Sequence, residues 1–231
     1  MFKHEKIDLG YNDLSANTTE SGRVYNTPSG NYPSITTVLK LISQDSIEAW
    51  KKRVGEEEAR RIGMKAARRG TLVHEIIERY LNNEKTSDNP DYLPHIRHSL
   101  QNLRPILDRS IGKIFGLETP LYSDHLGLAG RCDCVAEWNN IPSIIDFKTS
   151  KKPKKKEWVP QYFAQCAGYA IMWEERTGMP ISQLVIAIDV DNDNPIIFLE
   201  KRDNWTKLLI ETTQKYKDQN PVWGSPTVDM E

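Results

Sequence analysis

The sequence predicts an α/β fold in which helices flank a mixed central β-sheet. Three observations support this class. Helical periodicity dominates residues 34–111, three β-type segments follow between residues 114 and 149, and a long helical segment then precedes a strongly apolar strand. This order of helices, consecutive strands, a helix and a further strand is typical of a mixed sheet that helices cover. With 231 residues the chain is long enough to bury one substantial core.

The first 33 residues are predicted to form an extended or partly disordered arm. They are rich in Asn, Thr, Ser and Gly, and their apolar residues follow no clear period. Residues 34–231 are then expected to form a single domain that begins with a helical region.

The helical region begins at Ile35, directly after Pro33-Ser34. The pattern is helical again over residues 45–81, with a break expected near Gly70. Basic side chains crowd this stretch, and the glutamates at 56–58 offset only part of their charge. The stretch is either a solvated helical face or a phosphate-binding surface. Its basic residues are Lys51, Lys52, Arg53, Arg60, Arg61, Lys65, Arg68 and Arg69.

The later elements follow from apolar periodicity and from the residues that interrupt it. A period near 3.6 indicates helices, alternation or a short apolar run indicates strands, and Gly178 is a suitable helix terminator. The predicted elements are a helix over 92–111, strands over 114–122, 126–138 and 141–149, a helix over 157–177, strands over 184–190 and 196–199, and a helix over 205–216.

The overall charge excludes a protein that binds polyanions through a general excess of basic residues. The chain has 31 basic and 32 acidic side chains and a net charge of -1. A nucleic-acid site must therefore come from a local concentration of basic residues. Besides the stretch over 51–69, the run Lys151-Lys152-Pro153-Lys154-Lys155-Lys156 is such a concentration. This run either guides a nucleic-acid backbone or is a solvated linker.

The three cysteines predict reduced thiols. Two of them form Cys132-Asp133-Cys134, which is neither a CxxC zinc motif nor part of a four-cysteine cluster. Residues two apart on one strand are also poorly placed to form a disulfide, so a cytosolic compartment is expected. The first residues contain no apolar signal region, and no apolar run reaches the length of a membrane span.

A pair of charged residues lies in the predicted strand over 141–149, which otherwise reads as buried core. Asp146 and Lys148 are two residues apart, so they share one face of the strand, while Phe147 lies on the other. The preceding Asn139-Asn140 suits a tight hairpin turn, because asparagine tolerates positive φ.

A hairpin with that two-residue loop places Asp133 opposite Asp146 and Arg131 opposite Lys148. A shift of one residue would instead turn one strand over. Like charges that face each other across a sheet destabilise it by about 0.2–1 kcal/mol. Two opposed carboxylates therefore indicate a bound cation between them, with Lys148 beside it.

His74 is a candidate third ligand. In the helical pattern of Gly70 to Leu81 it lies at the border of the apolar stripe. A border histidine is either a hydrogen-bonded core residue or a metal ligand. The sequence His-Glu-Ile-Ile-Glu is not a zinc-protease HExxH motif, because Glu78 occupies the place of the second histidine.

The long helix over 157–177 carries a polar stripe. Gln161, Gln165 and Tyr169 follow each other at a spacing of four residues and therefore lie on one side of the helix. These amides and this phenol either contact phosphates or bases, or cap a polar edge of the core.

Taken together, these motifs resemble the RecB-like branch of the PD-(D/E)XK nucleases, and within it the mitochondrial genome maintenance exonuclease group and its bacteriophage relatives. The resemblance runs from about residue 32 to residue 177. It rests on the order of the motifs, which are Tyr32-Pro33-Ser34-Ile35-Thr36-Thr37, the histidine helix, Glu118-Thr119-Pro120-Leu121, Gly130-Arg131-Cys132-Asp133, Asp146-Phe147-Lys148-Thr149-Ser150 and Gln165-Cys166-Ala167-Gly168-Tyr169.

The resemblance implies a restriction-endonuclease-like core and a divalent-metal phosphodiesterase. Cys132 stands where the family name has proline, and the subset with an iron–sulfur cluster needs four cysteines, so no such cluster is expected. Residue by residue, the metal ligands would be His74, Asp133, Asp146 and the Phe147 carbonyl, with Glu118 near the metal, Lys148 orienting or deprotonating the attacking water, and Gln165 and Tyr169 contacting substrate.

We therefore expect a metal-dependent DNA exonuclease that prefers single strands with free ends and uses one or two Mg²⁺ or Mn²⁺ ions. A double-strand recombination exonuclease, a flap endonuclease and a catalytically weak DNA-binding accessory protein are the alternatives. A monomer in the cytoplasm of a bacterial or phage-infected cell is also expected. Gln161 and the lysines Lys151, Lys154, Lys155 and Lys156 are further candidate substrate contacts.

Overall fold

A mixed six-stranded sheet forms the centre of the fold, as predicted. The computed structural model describes residues 1–19 and 22–221. Its strands are β1 (Lys3–His4), β5 (Ile111–Ser123), β6 (Leu128–Trp138), β7 (Ile141–Ser150), β8 (Gln183–Val190) and β9 (Ile196–Lys201). They lie in the order β1-β5-β6-β7-β8-β9, with β1 parallel to β5, β7 parallel to β8 and antiparallel pairing elsewhere.

Helices cover both faces of this main sheet. Helices α2 and α3 pack on one face, where Ile145 and Phe147 lie, and α1, α4 and α5 pack on the other, where Ile144 lies. Because successive side chains of β7 point to opposite faces of the sheet, this strand contributes to the cores on both faces. In the described residues no helix combines the length and apolarity needed to cross a membrane. The helices are α1 (Ile35–Val54), α2 (Glu56–Leu81), α3 (Pro94–Ser110), α4 (Pro160–Thr177) and α5 (Asp203–Gln219).

The N-terminal residues, which the sequence predicted to be an extended or partly disordered arm, include several strands. A second, three-stranded sheet consists of β2 (Ala16–Thr19), β3 (Gly22–Thr27) and β4 (Gly30–Pro33). Main-chain pairing and a small aromatic cluster, in which Tyr25 packs on Tyr122 and Ala129 of the main sheet, hold it in place. Such contacts leave no hydrophobic period in the sequence. The division of the chain into an arm of residues 1–33 and a domain of residues 34–231 stays a prediction.

Helices α1 and α2 form a helical hairpin, and the break between them differs from the predicted one. The break is at Gly55, whose φ of 87° lies in the region that favours glycine, whereas Gly70 lies inside α2. Residues 44–68 of this hairpin are mostly exposed, and Ala59 alone among them is buried. Likewise, α4 begins at Pro160, after a 3-10 helix over Lys156–Trp158, rather than at residue 157.

The hairpin of β6 and β7 has the predicted register over its first half. Asn139 and Asn140, both at positive φ, form the turn, and the pairing runs from Trp138–Ile141 to Cys134–Ile145. The ladder ends there. The predicted direct pairing of Asp133 with Asp146 and of Arg131 with Lys148 is therefore absent, because the two strands separate at the first acidic position.

Candidate active site

Asp133 lies where β6 and β7 separate. One oxygen of its carboxylate, Oδ2, accepts a hydrogen bond from the main-chain N–H of Phe147 at 2.8 Å. The carboxylate thus satisfies an N–H that a continued ladder would have paired with a main-chain carbonyl. The separation of the strands leaves space beside two acidic side chains, which is the arrangement that a cation site requires.

Asp146 and Lys148 form an ion pair on the face of β7 that α4 covers. Asp146 is 1% exposed, and apart from the contact with Lys148 its oxygens have no polar partner among the described residues. Burial raises the pKa of Asp146 to about 6; Lys148 opposes that rise, and the negative charge of Asp133 adds to it. A buried carboxylate whose one polar partner is a lysine has acceptor capacity left for a cation.

Lys148 keeps its positive charge in this setting. Burial by itself lowers the pKa of a lysine, but the carboxylates of Asp146 and Asp133 outweigh it and raise the pKa of Lys148 above its usual value. The site therefore holds a fixed ammonium beside two carboxylates.

His74 reaches the site from α2. Its Nδ1 lies 3.5 Å from Oδ2 of Asp133, and its side chain is 28% exposed. The neighbours Val73, Ile76 and Ile77 are buried in the core between α2 and the main sheet. The apolar stripe of α2 thus fixes the helix, and His74 at its border faces the acidic residues rather than the core.

Glu118 completes a cluster with His74 and Asp133. One ligand atom from each of the three residues lies within 4.8 Å of the others. Glu118 has a φ of 44°, which is unusual for a non-glycine residue within a strand. Burial, followed by the negative charges of Asp133 and Glu78, raises its pKa to about 7. Asp146 lies outside this cluster and is held by Lys148.

The cluster lines a cleft of about 560 Å³. Gln165 and Tyr169 of α4 both line it, whereas Gln161 lies outside its lining. Tyr169 is 2% exposed. A methyl group at Gly130 would approach the Tyr169 ring to 2.8 Å, so the absence of a side chain at that position leaves space for the Tyr169 ring. The N-terminal segment also reaches this cleft, through Arg23 and Tyr25.

Tyr162 is a residue at the site that the sequence analysis missed. Its ring centroid lies 5.2 Å from Nζ of Lys148, within the range of a cation–π interaction. Tyr162 precedes Gln165 by three residues and Tyr169 by seven. Residues three and four apart lie on the same side of a helix, so Tyr162 shares that side with Gln165 and Tyr169. The sequence analysis followed a strict spacing of four and selected Gln161 instead.

A second feature that sequence reasoning missed is the anchor of α2. Arg69 forms ion pairs with Asp189 and with Asp191, the latter at 2.8 Å, and the hydroxyl of Ser99 donates to Asp189 at 2.6 Å. Asp189 is 1% exposed. Arg69 precedes His74 by little more than one helical turn, so this network fixes the part of α2 that carries the histidine.

The comparison with protein families agrees with this geometry. The sequence model described as the PD-(D/E)XK nuclease superfamily matches residues 49–219, which include every residue of the cluster and the Asp146–Lys148 pair. The chain belongs to the PD-(D/E)XK nuclease superfamily. The six-stranded mixed sheet with helices on both faces is the α/β fold expected of this superfamily.

Individual relatives in the superfamily are distant. The chain is 28% identical to human mitochondrial genome maintenance exonuclease 1 over 216 residues, which cover 81% of this chain and 60% of the human protein. The Xenopus tropicalis protein of the same name is 28% identical over 139 residues, covering 54% of this chain and 38% of its own length. The chain therefore spans less than two thirds of these relatives.

Among solved structures, a crystal structure from Eubacterium rectale named "Putative exonuclease" is similar to this chain. It has a TM-score of 0.46 and 16% identity, and the similar part covers 65% of each chain.

The residues present fit the divalent metal that PD-(D/E)XK nucleases use. His74, Glu118 and Asp133 offer one nitrogen and two oxygen ligands close together, and Asp146 contributes a buried carboxylate whose one polar partner among the described residues is Lys148. Carboxylate oxygens suit Mg²⁺ and Mn²⁺, and an imidazole is well tolerated by Mn²⁺. The role of the Phe147 carbonyl stays a prediction.

The lysine run that the sequence analysis singled out follows β7 directly. Lys151, Lys155 and Lys156 are exposed and Lys154 is partly exposed; of these, Lys156 pairs with Glu200 of β9. Lys156 would have to leave Glu200 to contact a phosphate. The contact of this run with nucleic acid stays a prediction.

His74 is expected to act as a metal ligand rather than as a core residue. Replacing it with alanine should weaken Mn²⁺ binding about tenfold or more while leaving the melting temperature of the metal-free protein nearly unchanged, because the side chain faces the cleft. Titration calorimetry and thermal unfolding in EDTA on one preparation measure both quantities. Val73→Ala, in the core beside it, is the matched control and should show the reverse pattern. A lowered melting temperature with unchanged metal affinity would contradict the assignment.

Proposed function

We propose that this chain is a metal-dependent DNA exonuclease that prefers single strands with free ends. The observation that carries the proposal is the cluster of His74, Glu118 and Asp133 beside the Asp146–Lys148 pair, in a member of a nuclease superfamily. Membership alone does not require activity, but this member has both carboxylates and the lysine at one site, where Asp146 pairs with Lys148 and Asp133 is close enough for its charge to act on both. These contacts favour an enzyme over a catalytically weak accessory protein.

The chain's own residues would divide the work at the site. His74, Asp133, Asp146 and Glu118 would hold the cation. When bound, a divalent ion acidifies a coordinated water and neutralises charge on the scissile phosphate. Glu118, whose pKa is raised to about 7, would release its proton on binding the cation.

Lys148 would orient the attacking water and stabilise the negative charge of the transition state. Because its ammonium stays protonated, an electrostatic role suits it better than that of a base. The face of the Tyr162 ring would keep the ammonium in place when Asp146 turns its charge toward the cation. Lys148 thus has a second partner that does not compete for the metal.

Two basic stretches adjoin residues of the site along the chain. The exposed helical hairpin carries Lys51, Lys65 and Arg68, and its second helix continues into the cleft, where Gly70, Thr71 and His74 line the wall. The lysine run lies just beyond Lys148 along the chain. With a net charge of -1, these local clusters would supply the attraction for phosphates.

The test uses end-labelled linear and circular single-stranded DNA, matched duplexes and single-stranded RNA, each with Mg²⁺, Mn²⁺ or EDTA. We expect linear single-stranded DNA to be degraded to short products with either metal, and no cleavage in EDTA. A covalently closed single-stranded circle should survive, since digestion begins at an end. Gel electrophoresis of timed samples measures both results.

Several outcomes would contradict parts of this proposal. Rapid cleavage of the circle would establish an endonuclease, and faster degradation of duplex than of single strands would establish a double-strand exonuclease. Binding of DNA without cleavage under every metal condition would favour the accessory protein.

A further inference from the structure

Trp158 is an exposed aromatic residue in the segment that connects β7 to α4. Its indole is 59% exposed, whereas Trp138 and Trp173 are 2% and 1% exposed. Among the tryptophans that the structure describes, Trp158 is the most exposed. Tryptophan carries a large apolar surface whose burial is favourable, so this exposure is costly in the free protein. A ligand that covers the indole would recover that energy.

The segment around Trp158 is fixed at both ends. Lys156 pairs with Glu200 of β9 on one side, and Val159, which is 2% exposed, is anchored in the core on the other. The main-chain N–H of Trp158 donates to the carbonyl of Lys155 at 3.1 Å. The main chain that carries the indole is therefore held between two anchors, so less conformational entropy would be lost when the indole binds a partner than in a free loop.

The charge around the indole indicates an anionic ligand with a flat apolar part. Nζ of Lys155 lies 5.4 Å from the centroid of the Trp158 ring, and the rest of the lysine run precedes it. A cation beside an exposed indole can contact a phosphate while a nucleobase stacks on the ring. Neither a purely apolar partner nor a simple anion would use both features.

The position of the indole relates it to the candidate active site. Trp158 precedes Tyr162 by four residues, and the N–H of Tyr162 donates to the carbonyl of Val159 at 3.0 Å. The Tyr162 ring in turn contacts Lys148. A base on Trp158 would therefore lie at the start of the segment that carries Tyr162 into the site.

We propose that Trp158 is a stacking platform for an unpaired nucleobase and that Lys155 contacts the adjoining phosphate. This inference rests on the proposed function and extends it, because bases inside a duplex have no free face to offer. It gives the preference for single strands a physical origin in this chain.

The first test measures the affinity for a fluorescent oligothymidylate by anisotropy in EDTA, where no cleavage occurs. Trp158→Ala should weaken binding by about 5- to 150-fold, the range that one stacked base contributes. Trp158→Phe should lose less, because it keeps an aromatic face. Ile210→Ala, an apolar residue of α5 that is 48% exposed, is the matched control and should bind like the parent. Circular dichroism checks that each variant is folded.

The second test identifies stacking directly. A series of oligothymidylates, each with one abasic position, is titrated against the parent and Trp158→Ala. The parent should lose affinity at one or two positions, and those losses should vanish in Trp158→Ala, because the base and the indole act as a pair. Equal abasic losses in both proteins, or equal affinity of both for the intact strand, would overturn the platform. A parent that binds no oligonucleotide would overturn the proposed function itself.

Discussion

Replacing Asp146 with asparagine is expected to abolish cleavage and, at the same time, to stabilise the metal-free protein. The substitution removes a ligand charge from the proposed cation site. Metal assistance contributes several kcal/mol to the transition state, so the cleavage rate should fall about 10³-fold or more. Mn²⁺ binding, measured by titration calorimetry, should weaken in parallel.

The expected stabilisation follows from the raised pKa of Asp146. In the folded protein the carboxyl of Asp146 keeps its proton up to a pH of about 6, whereas an unfolded aspartate releases its proton at a pH of about 4. Between these values the folded state binds more protons, so the contribution of Asp146 to stability is fully present below about pH 4 and is lost as the pH rises through about 6. Asparagine cannot ionise and avoids that loss. Lys148 is not left as an unpaired buried charge, because its side chain is 19% exposed and it keeps the Tyr162 ring and the negative charge of Asp133 as partners.

Thermal unfolding in EDTA should therefore show a higher melting temperature for Asp146→Asn than for the parent at neutral pH, and a smaller difference near pH 4. Asp218→Asn, an exposed substitution on α5 with the same charge change, should alter neither cleavage nor stability. Unchanged Mn²⁺ affinity of Asp146→Asn would remove Asp146 from the ligand set. A lower melting temperature in EDTA would show that its pair with Lys148 stabilises the fold.

Replacing Arg69 with methionine is expected to lower the free energy of unfolding more than any other substitution proposed for this protein. It leaves the carboxylate of Asp189, which is 1% exposed, with the Ser99 hydroxyl but without the cation that neutralises it. Removing one partner of a buried ion pair typically costs about 3–5 kcal/mol. Urea unfolding should show this decrease in the free energy of unfolding. Arg68→Met, which removes the same charge from the adjacent exposed position, should change stability by less than about 0.5 kcal/mol.

A double substitution separates two causes of the lost stability, the unpaired charge of Asp189 and the loss of packing around Arg69. Asp189→Leu in the Arg69→Met background removes the unpaired carboxylate and should recover part of the lost stability. Because the pair anchors α2 close to His74, Arg69→Met should also weaken Mn²⁺ binding, with Arg68→Met as the control. Equal free energies of unfolding for Arg69→Met and Arg68→Met would mean that the buried carboxylate of Asp189 does not need the charge of Arg69.

The local pattern of the sequence was sufficient for the hairpin that carries the acidic residues. Asn139-Asn140 forms the turn, the register continues as predicted to Cys134–Ile145, and Asp146 shares a face with Lys148. Turn chemistry and strand alternation involve residues close in the chain, so neighbours encode them. The same pattern could not show that the ladder stops at Asp133, because that depends on a hydrogen bond between a side chain and the main chain.

Helix breaks were harder to predict. The sequence contains Gly55, Gly63 and Gly70 in one helical stretch, and each is a candidate break. Only Gly55 adopts a positive φ and ends a helix. A glycine inside a helix costs roughly 1 kcal/mol, which tertiary packing can offset, as the buried stripe of α2 does around Gly70.

By itself, the sequence determined the α/β class, the order of the elements and the resemblance to the PD-(D/E)XK nucleases, because periodicity and motif order are properties of the linear chain. Only the tertiary structure decided that Glu118 joins His74 and Asp133, that Tyr162 contacts Lys148 and that Arg69 pairs with Asp189. These contacts join elements far apart in sequence. Their geometry depends on how the cores on the two faces of the sheet position α2 and α4, and no local pattern specifies that.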